Sequence, residues 1–482
     1  MQPQRVSEYL WEVPVGSVPG MRVPARVFAS EPLMNKALED RAVDQIANVA
    51  TLPGIVEAAY AMPDIHWGYG FPIGGVAATD ANADGTISPG GVGFDIGCGV
   101  RLLRSDLTWD ETASKMRELV DALGRNVPRG VGGKGRLAVD RDGLEKVLLH
   151  GVRYPLSQGI GTEADAEFCE DHGTLGAAVP ASVSERAKER GAPQLGSLGA
   201  GNHFVELQVV DQIRDDESAR TMGLFEGGVV IMIHSGSRGL GHQTCTDHVR
   251  TIDRLMPELG IEVPDRQLAC VPIGHPAGDD YFGAMDAAGN YARVNRHILS
   301  DAVRESFATV FKRDVKGLGL GLDLVYDVSH NLAKFEDHDV NGSSRKLCVH
   351  RKGATRAFGP GHPELPSRYQ DIGQPVIIPG SMGTPSFVLT GTKEARGLSF
   401  ASSCHGAGRA MSRTQAKKVM SGPDLKKKLE SEGITLAKSH WKLLSEEAPY
   451  AYKDAEEVVA TCEGAGLTKV VARMRPVGVI KG

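Results

Sequence analysis

The sequence predicts an α+β fold built as one large intertwined domain, residues 1–482, and three observations carry that reading. Apolar runs of strand length come in blocks, helical periodicity comes in other blocks, and the two do not alternate as in a wound parallel sheet. No repeat of fixed period and no low-complexity tract divides the 482 residues. Glycine, at 59 residues or about 12% of the chain against a usual ~7%, is clustered, which points to backbone turned tightly around something.

Along the chain, residues 53–104 hold short apolar runs such as PIGGVAATD and GVRLLRSDL between glycine turns, and these read as short strands. Residues 108–192 differ. SKMRELVDALG and ASVSERAKERG have helical spacing, so a mainly helical excursion is predicted there. Strands return with NHFVELQVV, GGVVIMIH, LVYDVSHN, KLCVH and PVIIPG, interrupted by a helix over about 285–312. Residues 412–442 set eight cations (Arg413, Lys417, Lys418, Lys426, Lys427, Lys428, Lys438, Lys442) against three acids, which makes either a solvated helix face or a phosphate-backbone contact surface.

Composition narrows the class. Hydrophobic residues at 41% and charged residues at 24% exclude a disordered, collagenous or coiled-coil chain. A net charge of -6 argues against a coat for non-specific nucleic-acid binding and leaves room for a local basic groove. The start MQPQRVSEYLWEVP has no basic region ahead of an apolar run, and no stretch approaches the ~18 apolar residues of a span, so a soluble, cytoplasmic protein without membrane contact is expected. Seven cysteines, an odd number without CxxC spacing, make a disulfide framework improbable and leave any special cysteine as ligand or nucleophile.

Four histidines share one context: His203 in GAGNHFVEL, His234 in VVIMIHSGSRG, His330 in LVYDVSHN and His405 in SSCHGAGRA each sit where an apolar run meets a turn. Such positions converge at a sheet rim. Ahead of them in the chain lies SPGGVGFDIGCGV (88–100), whose glycines let Asp95 and Cys98 point to one centre. A thiolate can bridge two cations while a carboxylate and imidazoles complete their shells; zinc, manganese and iron all suit this donor set. His405 precedes Gly406, Ala407, Gly408 and Arg409, where small residues allow backbone N–H groups near a phosphate. The imidazole there is a nucleophile towards phosphorus, a further metal-side histidine or a general acid. Similar Gly, Ser, Arg and Lys turns recur at 234–239, 350–357 and 379–387.

PDIHWGYGFPIGG (63–75), GGVGFDIGCGV (90–100), GNHFVE (201–206), HSGSRGLG (234–241), VSHN (328–331), HRKGATRAF (350–358), PGSMGTPSFV (379–388) and SCHGAGRAMSR (403–413) resemble the RtcB family of RNA-splicing ligases, from about residue 20 to Lys481. The resemblance implies mixed and antiparallel sheets with flanking helices around a deep metal-containing cleft. It implies a GTP- and manganese-dependent ligase that joins RNA 2',3'-cyclic phosphate or 3'-phosphate ends to 5'-hydroxyl ends, in tRNA splicing or RNA repair, with an archease-type protein as a possible activator. His405 would carry GMP. One manganese would be held by Asp95, Cys98 and His203, the other by Cys98, His234 and His330. GTP would lie against Asn202, His203, Phe204, Val205, Glu206, His330, Asn331, Pro379, Gly380, Ser381, Met382, Ser386, His405, Gly406, Ala407, Gly408, Tyr452 and Lys481. By the resemblance Glu206 would accept from the base N–H groups; alternation in HFVELQV puts Phe204 and Glu206 on one face, so Glu206 need not lie in the core.

Asp64 would position the incoming RNA end or a metal-bound water, or else cap its own turn. Arg190, Arg238, Lys352, Arg409 and Arg413 are candidates for RNA or triphosphate contact, as is the loop GRNVPRGVGGKGR (124–136) through Arg125, Arg129, Lys134 and Arg136. The alternative in another class is a two-metal RNA-end phosphodiesterase or phosphatase that never ligates. It gives no work to the His405 turn or to a nucleotide pocket ending in Lys481. A non-catalytic RNA scaffold finds little support in an acidic chain without interleaved aromatic and basic residues.

Overall fold

A computed structural model describes residues 2–130, 132–312, 320–438 and 444–482. Runs rich in Val, Ile and Ala pair into two large sheets. The first follows the order Gln4–Arg5, Leu10–Val13, Ala25–Phe28, Ala59–His66, Ile73–Asp80, Ser343–Lys352 and Asn331–Val340, with one parallel pair, Ala25–Phe28 beside Ala59–His66. The second runs Asp323–Ser329, Gly99–Thr108, Gly228–Ser235, Phe204–Ile213, Thr468–Lys481, Ser386–Gly391 and Pro375–Ile378, antiparallel along this path, with Thr435–Leu436 added in parallel to Thr468–Lys481.

The chain passes between the sheets repeatedly. Its tightest crossing is a single residue, His330, between Asp323–Ser329 of the second sheet and Asn331–Val340 of the first. Each sheet has its own apolar core, and a third forms around the helical excursion.

The expected strands all form, and those of the glycine-rich stretch are longer than expected: Ile73–Asp80 and Gly99–Thr108 run 8 and 10 residues. Leu10–Val13, Asn331–Val340, Ser386–Gly391 and Thr468–Lys481 were not read from the sequence. Asn331–Val340 alternates charged exposed residues with buried ones, and Thr468–Lys481 is interrupted by Pro476 and Gly478, where its pairing with Phe204–Ile213 shifts register. Residues 109–194 are mainly helical.

The helix expected at 285–312 is Pro276–Phe311, 36 residues long. It starts nine residues early because His275 caps it, accepting from the Ala277 N–H, and because Gly278 and Gly283, which read as breakers, lie where close neighbours leave little room for a side chain. Residues 283–300 are buried on every side, so the helix has no solvent face to announce it. Among the described residues no helix is long and apolar enough to cross a membrane, and the seven cysteines are free and buried.

Candidate active site

Antiparallel pairing makes the start of one strand level with the end of the next. Cys98 immediately precedes Gly99–Thr108, His203 precedes Phe204–Ile213, His234 lies at the end of Gly228–Ser235, and His330 follows Asp323–Ser329. The register sets Gly99 opposite both Ser235 and Ser329, and Phe204 opposite His234. Four strand termini therefore meet at one edge of the second sheet. Against them lies a cavity of about 220 Å³, also lined by His66, Ile73 and Gly353 from the first sheet and its border and by the loops carrying Pro379–Ser381 and His405–Gly408.

Cys98 Sγ stands 3.5 Å from His203 Nε2 and 3.3 Å from His234 Nε2, and Asp95 Oδ2 is 3.0 Å from His203 Nε2. The ligand atoms of Cys98, His203 and His234 all lie within 4.8 Å of one another. His203 Nδ1 donates to the Leu198 carbonyl at 3.0 Å, so its Nε2 is the nitrogen turned towards the carboxylate oxygen and the sulfur. A cation among these three atoms would be held by all of them. The buried Nδ1 of His330 has no hydrogen-bond partner among the described residues, and its ring stands between His234 and His405, at 5.2 and 4.8 Å between centroids. This donor set fits metal ions.

Burial favours the neutral form of Asp95, yet His203 beside it outweighs burial and brings the carboxyl down to about 2. Burial, then Asp95, pushes the Cys98 thiol well up, and burial pushes His234 and His330 well down. His234 and His330 are thus held neutral, as ligands must be, and the Cys98 thiol would lose its proton on binding a cation. Asp95 also accepts from the Ser237 N–H at 3.0 Å, and Gly236 is required there, since a Cβ would fall 2.3 Å from Asp95 Oδ1. Behind the ligands, the buried Arg296 donates to the carbonyls of Gly97 and Ser235, at 2.7 and 3.0 Å, and to Asp327, which also accepts from Arg101. One guanidinium thereby ties the segments next to Cys98 and His234.

Asp64 does not cap its own turn: it is fully buried in Ala59–His66, and its Oδ2 accepts from His405 Nδ1 at 2.5 Å and from the His405 backbone N–H at 3.0 Å. A carboxylate only accepts, so the proton resides on Nδ1 and Nε2 keeps a free lone pair. Gly408 holds the loop that follows, with φ of +74° and a Cβ position 2.2 Å from the Asp64 carbonyl.

Of the expected nucleotide residues, Asn202, Phe204, His330, Asn331, Pro379, Gly380, Ser381, His405, Gly406, Ala407, Gly408, Tyr452 and Lys481 line the cavity. His203 stands among the ligands just described. Val205 lies in the core of the second sheet and Met382 in a small cluster with Leu425 and Leu429. Glu206 shares the face of Phe204 as expected but is only 2% exposed, because its strand is central and covered on both sides. Its Oε1 accepts from Gln208 Nε2 at 2.7 Å, and the same amide reaches Ser386 Oγ at 2.8 Å. Burial pushes Glu206 up to about 8 against the pull of Gln208 and Lys481, and burial lowers Lys481.

Glu447 was missed by sequence reasoning, having no local pattern. Buried in the wall, it accepts from Arg409 Nη1 at 3.0 Å, Arg413 Nε at 2.9 Å and the Tyr452 hydroxyl. Arg409 lines the cavity and donates further to the carbonyls of Glu446 and Met411, so it is tied into the wall. Lys352 is corrected: it is buried, donates to the carbonyls of Tyr69 and Phe71, and is pushed down to about 7 by burial. Arg190 and Arg238 lie outside the cavity lining, bonded to Gln243 and Ser197. In the 124–136 loop Arg129 is held by the carbonyls of Gly124 and Lys438 and Arg136 by Glu305, which leaves Arg125 and Lys134 for solvent. The basic segment forms the helices Arg413–Val419 and Gly422–Ser431, where Lys417 pairs with Glu446 and most other cations are exposed; Lys442 lies outside the described residues.

A family model described as tRNA-splicing ligase RtcB matches residues 45–482. The chain belongs to the RtcB family. It is 53% identical to the tRNA-splicing ligase RtcB of Archaeoglobus fulgidus over 99% of this chain and 98% of that one, and 50% identical to that of Thermococcus kodakarensis over the same shares. The RNA-splicing ligase RtcB of Mycobacterium tuberculosis is 52% identical, matching 91% of this chain and all of its own length.

Proposed function

We propose that this protein is an RNA ligase that uses GTP and manganese to join an RNA 2',3'-cyclic phosphate or 3'-phosphate end to a 5'-hydroxyl end, with GMP carried on His405. The observation that carries this reading is the His405–Asp64 pair, its Nδ1 tied at 2.5 Å, at the wall of a cavity that also holds the cysteine and histidine ligands. Family membership agrees with it.

In this reading a cyclic end is first opened to a 3'-phosphate. His405 Nε2 attacks the α-phosphorus of GTP; the P–N bond forms as the bond to the β-phosphate oxygen breaks and pyrophosphate leaves. Asp64 keeps the proton on Nδ1 and offsets the positive charge that develops on the ring. An oxygen of the RNA 3'-phosphate then displaces His405 from phosphorus, and the 5'-hydroxyl finally attacks the RNA phosphorus with GMP leaving. Asp95, Cys98 and His203 would hold one manganese and Cys98, His234 and His330 the other. When bound, these ions supply positive charge against the triphosphate and the departing pyrophosphate. Glu206, beside Lys481, would take hydrogen bonds from the N–H groups of guanine, which favour its charged form. A two-metal hydrolase would leave the His405–Asp64 pair without work.

The test is incubation with GTP labelled at the α-phosphate and manganese, then denaturing electrophoresis. Label should stay on the protein and move to RNA bearing a 3'-phosphate. Cleavage of RNA ends by a protein that never takes label would replace this reading with the hydrolase.

Glu206 also has a cost that can be measured. Its folded pKa of about 8 lies above the unfolded value of ~4.3, so it lowers stability progressively as pH rises between the two and fully above 8. The ligand-free protein should therefore gain on the order of 3 kcal/mol at pH 9 from Glu206→Gln and much less at pH 5, while GTP binding weakens. Equal melting-temperature gains at both pH values would contradict the assignment.

A further inference from the structure

A second groove, of about 540 Å³, runs on from the catalytic cavity: His66 and Arg409 line both. Its walls come from the two segments that frame His405. Residues 66 and 67 follow Asp64, and Arg409, Ala410, Met411 and Ser412 follow Gly408. At its rim stands Trp67, 52% exposed, while Trp11 and Trp109 are partly covered.

The exposure of Trp67 does not come from a loose loop. Its N–H donates to Asp40 Oδ2 at 3.3 Å, and Gly68 exchanges two hydrogen bonds with the Gln45 side chain at 2.8 and 2.7 Å. A Cβ on Gly68 would fall 2.5 Å from the Phe71 carbonyl. The backbone that carries the indole is thus fixed, and the indole itself makes no ring or hydrogen-bond contact among the described residues. An exposed indole carried on fixed backbone beside a catalytic cavity is a surface for a planar ligand. Lys36 stands in the same groove without an ion pair among the described residues, and Asp40 spends its two oxygens on the N–H groups of Ala42 and Trp67.

We propose that this groove holds the single-stranded nucleotides on the 5' side of the RNA terminal 3'-phosphate, with one base stacked on Trp67 and Lys36 against a backbone phosphate. The inference rests on the ligase reading above. In that reading the 3'-phosphate must reach the phosphorus on His405, and the groove opens between the segments that carry His405 and its partner. A base held by its face, with no side chain fixed against its edge, is accepted whatever its identity, so this strand is bound without sequence preference.

The test measures ligation with the two RNA strands varied separately, in wild type, Trp67→Ala and Trp67→Phe. Trp67→Ala should raise KM for the 3'-phosphate strand roughly 5- to 150-fold and leave KM for the 5'-hydroxyl strand as it was, with Trp67→Phe recovering most of the loss. Enzyme–GMP formation, which needs no RNA, reports the fold of each variant and tests the parent reading apart from the groove. Absence of enzyme–GMP in the wild type sinks the ligase reading. Variants that form enzyme–GMP but keep the wild-type KM for the 3'-phosphate strand, or lose the 5'-hydroxyl strand instead, overturn the groove alone.

Discussion

Replacing His405 with alanine is expected to abolish the labelled enzyme–GMP, by at least ~10³-fold, while manganese content stays close to wild type. The separation follows from the contacts. Among the described residues His405 gives its Nδ1 to Asp64 and makes no hydrogen bond to Asp95, Cys98 or His203, whose atoms contact one another; towards His330 it offers a ring face, at 4.8 Å between centroids, and no ligand atom is lost with it. Asp64→Asn should be informative beside it. An asparagine can turn its amide towards Nδ1 and drive the proton to Nε2, closing the lone pair that attacks phosphorus, so guanylylation should fall by roughly 10²- to 10⁴-fold with the histidine still present. Full labelling in His405→Ala would place the nucleophile elsewhere.

Cys98→Ala is the second large effect, and it acts on metal rather than on fold. Cys98 Sγ is the atom shared by the contacts to His203 and His234, so in the proposed two-ion arrangement its removal would take a donor from both. Because burial keeps the thiol protonated without a cation, its loss should change the stability of the metal-free protein by no more than about 1 kcal/mol. The stabilisation that manganese gives the wild type, ~2.7 kcal/mol at a hundredfold excess over Kd, should vanish. Thermal melts with and without manganese, together with metal content by mass spectrometry, check this. A variant that still melts higher with manganese and retains two ions would contradict the shared donor.

Much of this site was legible because strand ends are local. NHFVEL, VVIMIH and DVSHN each show an apolar run meeting a histidine, and antiparallel pairing then brings the ends together without further instruction. What the sequence withheld is long-range or a matter of facing. Asp64 and His405 are 341 residues apart, and nothing beside Asp64 names its partner. Glu447 sits in SEEAPYAY, which reads as an exposed acidic turn until Arg409, Arg413 and Tyr452 close on it. HRKGATRA looked like a phosphate turn, but its first residues end the strand Ser343–Lys352, where alternation and close cover direct Lys352 inward. The outer half of Asn331–Val340 was hidden by its charged solvent face.

The crossing at His330 has a mechanical consequence. One residue joins a strand of each sheet, and its neighbour Asn331 is bonded to the Asp95 carbonyl and to the Gly353 N–H, so the ligand cluster straddles the only covalent link at that point. A cation bound by His330 together with Cys98 and His234 would rivet the two sheets to each other. Amide hydrogens at the ends of Asp323–Ser329 and Asn331–Val340 should then exchange with solvent as one cooperative unit when metal is present, and open independently at a lower free energy when it is removed.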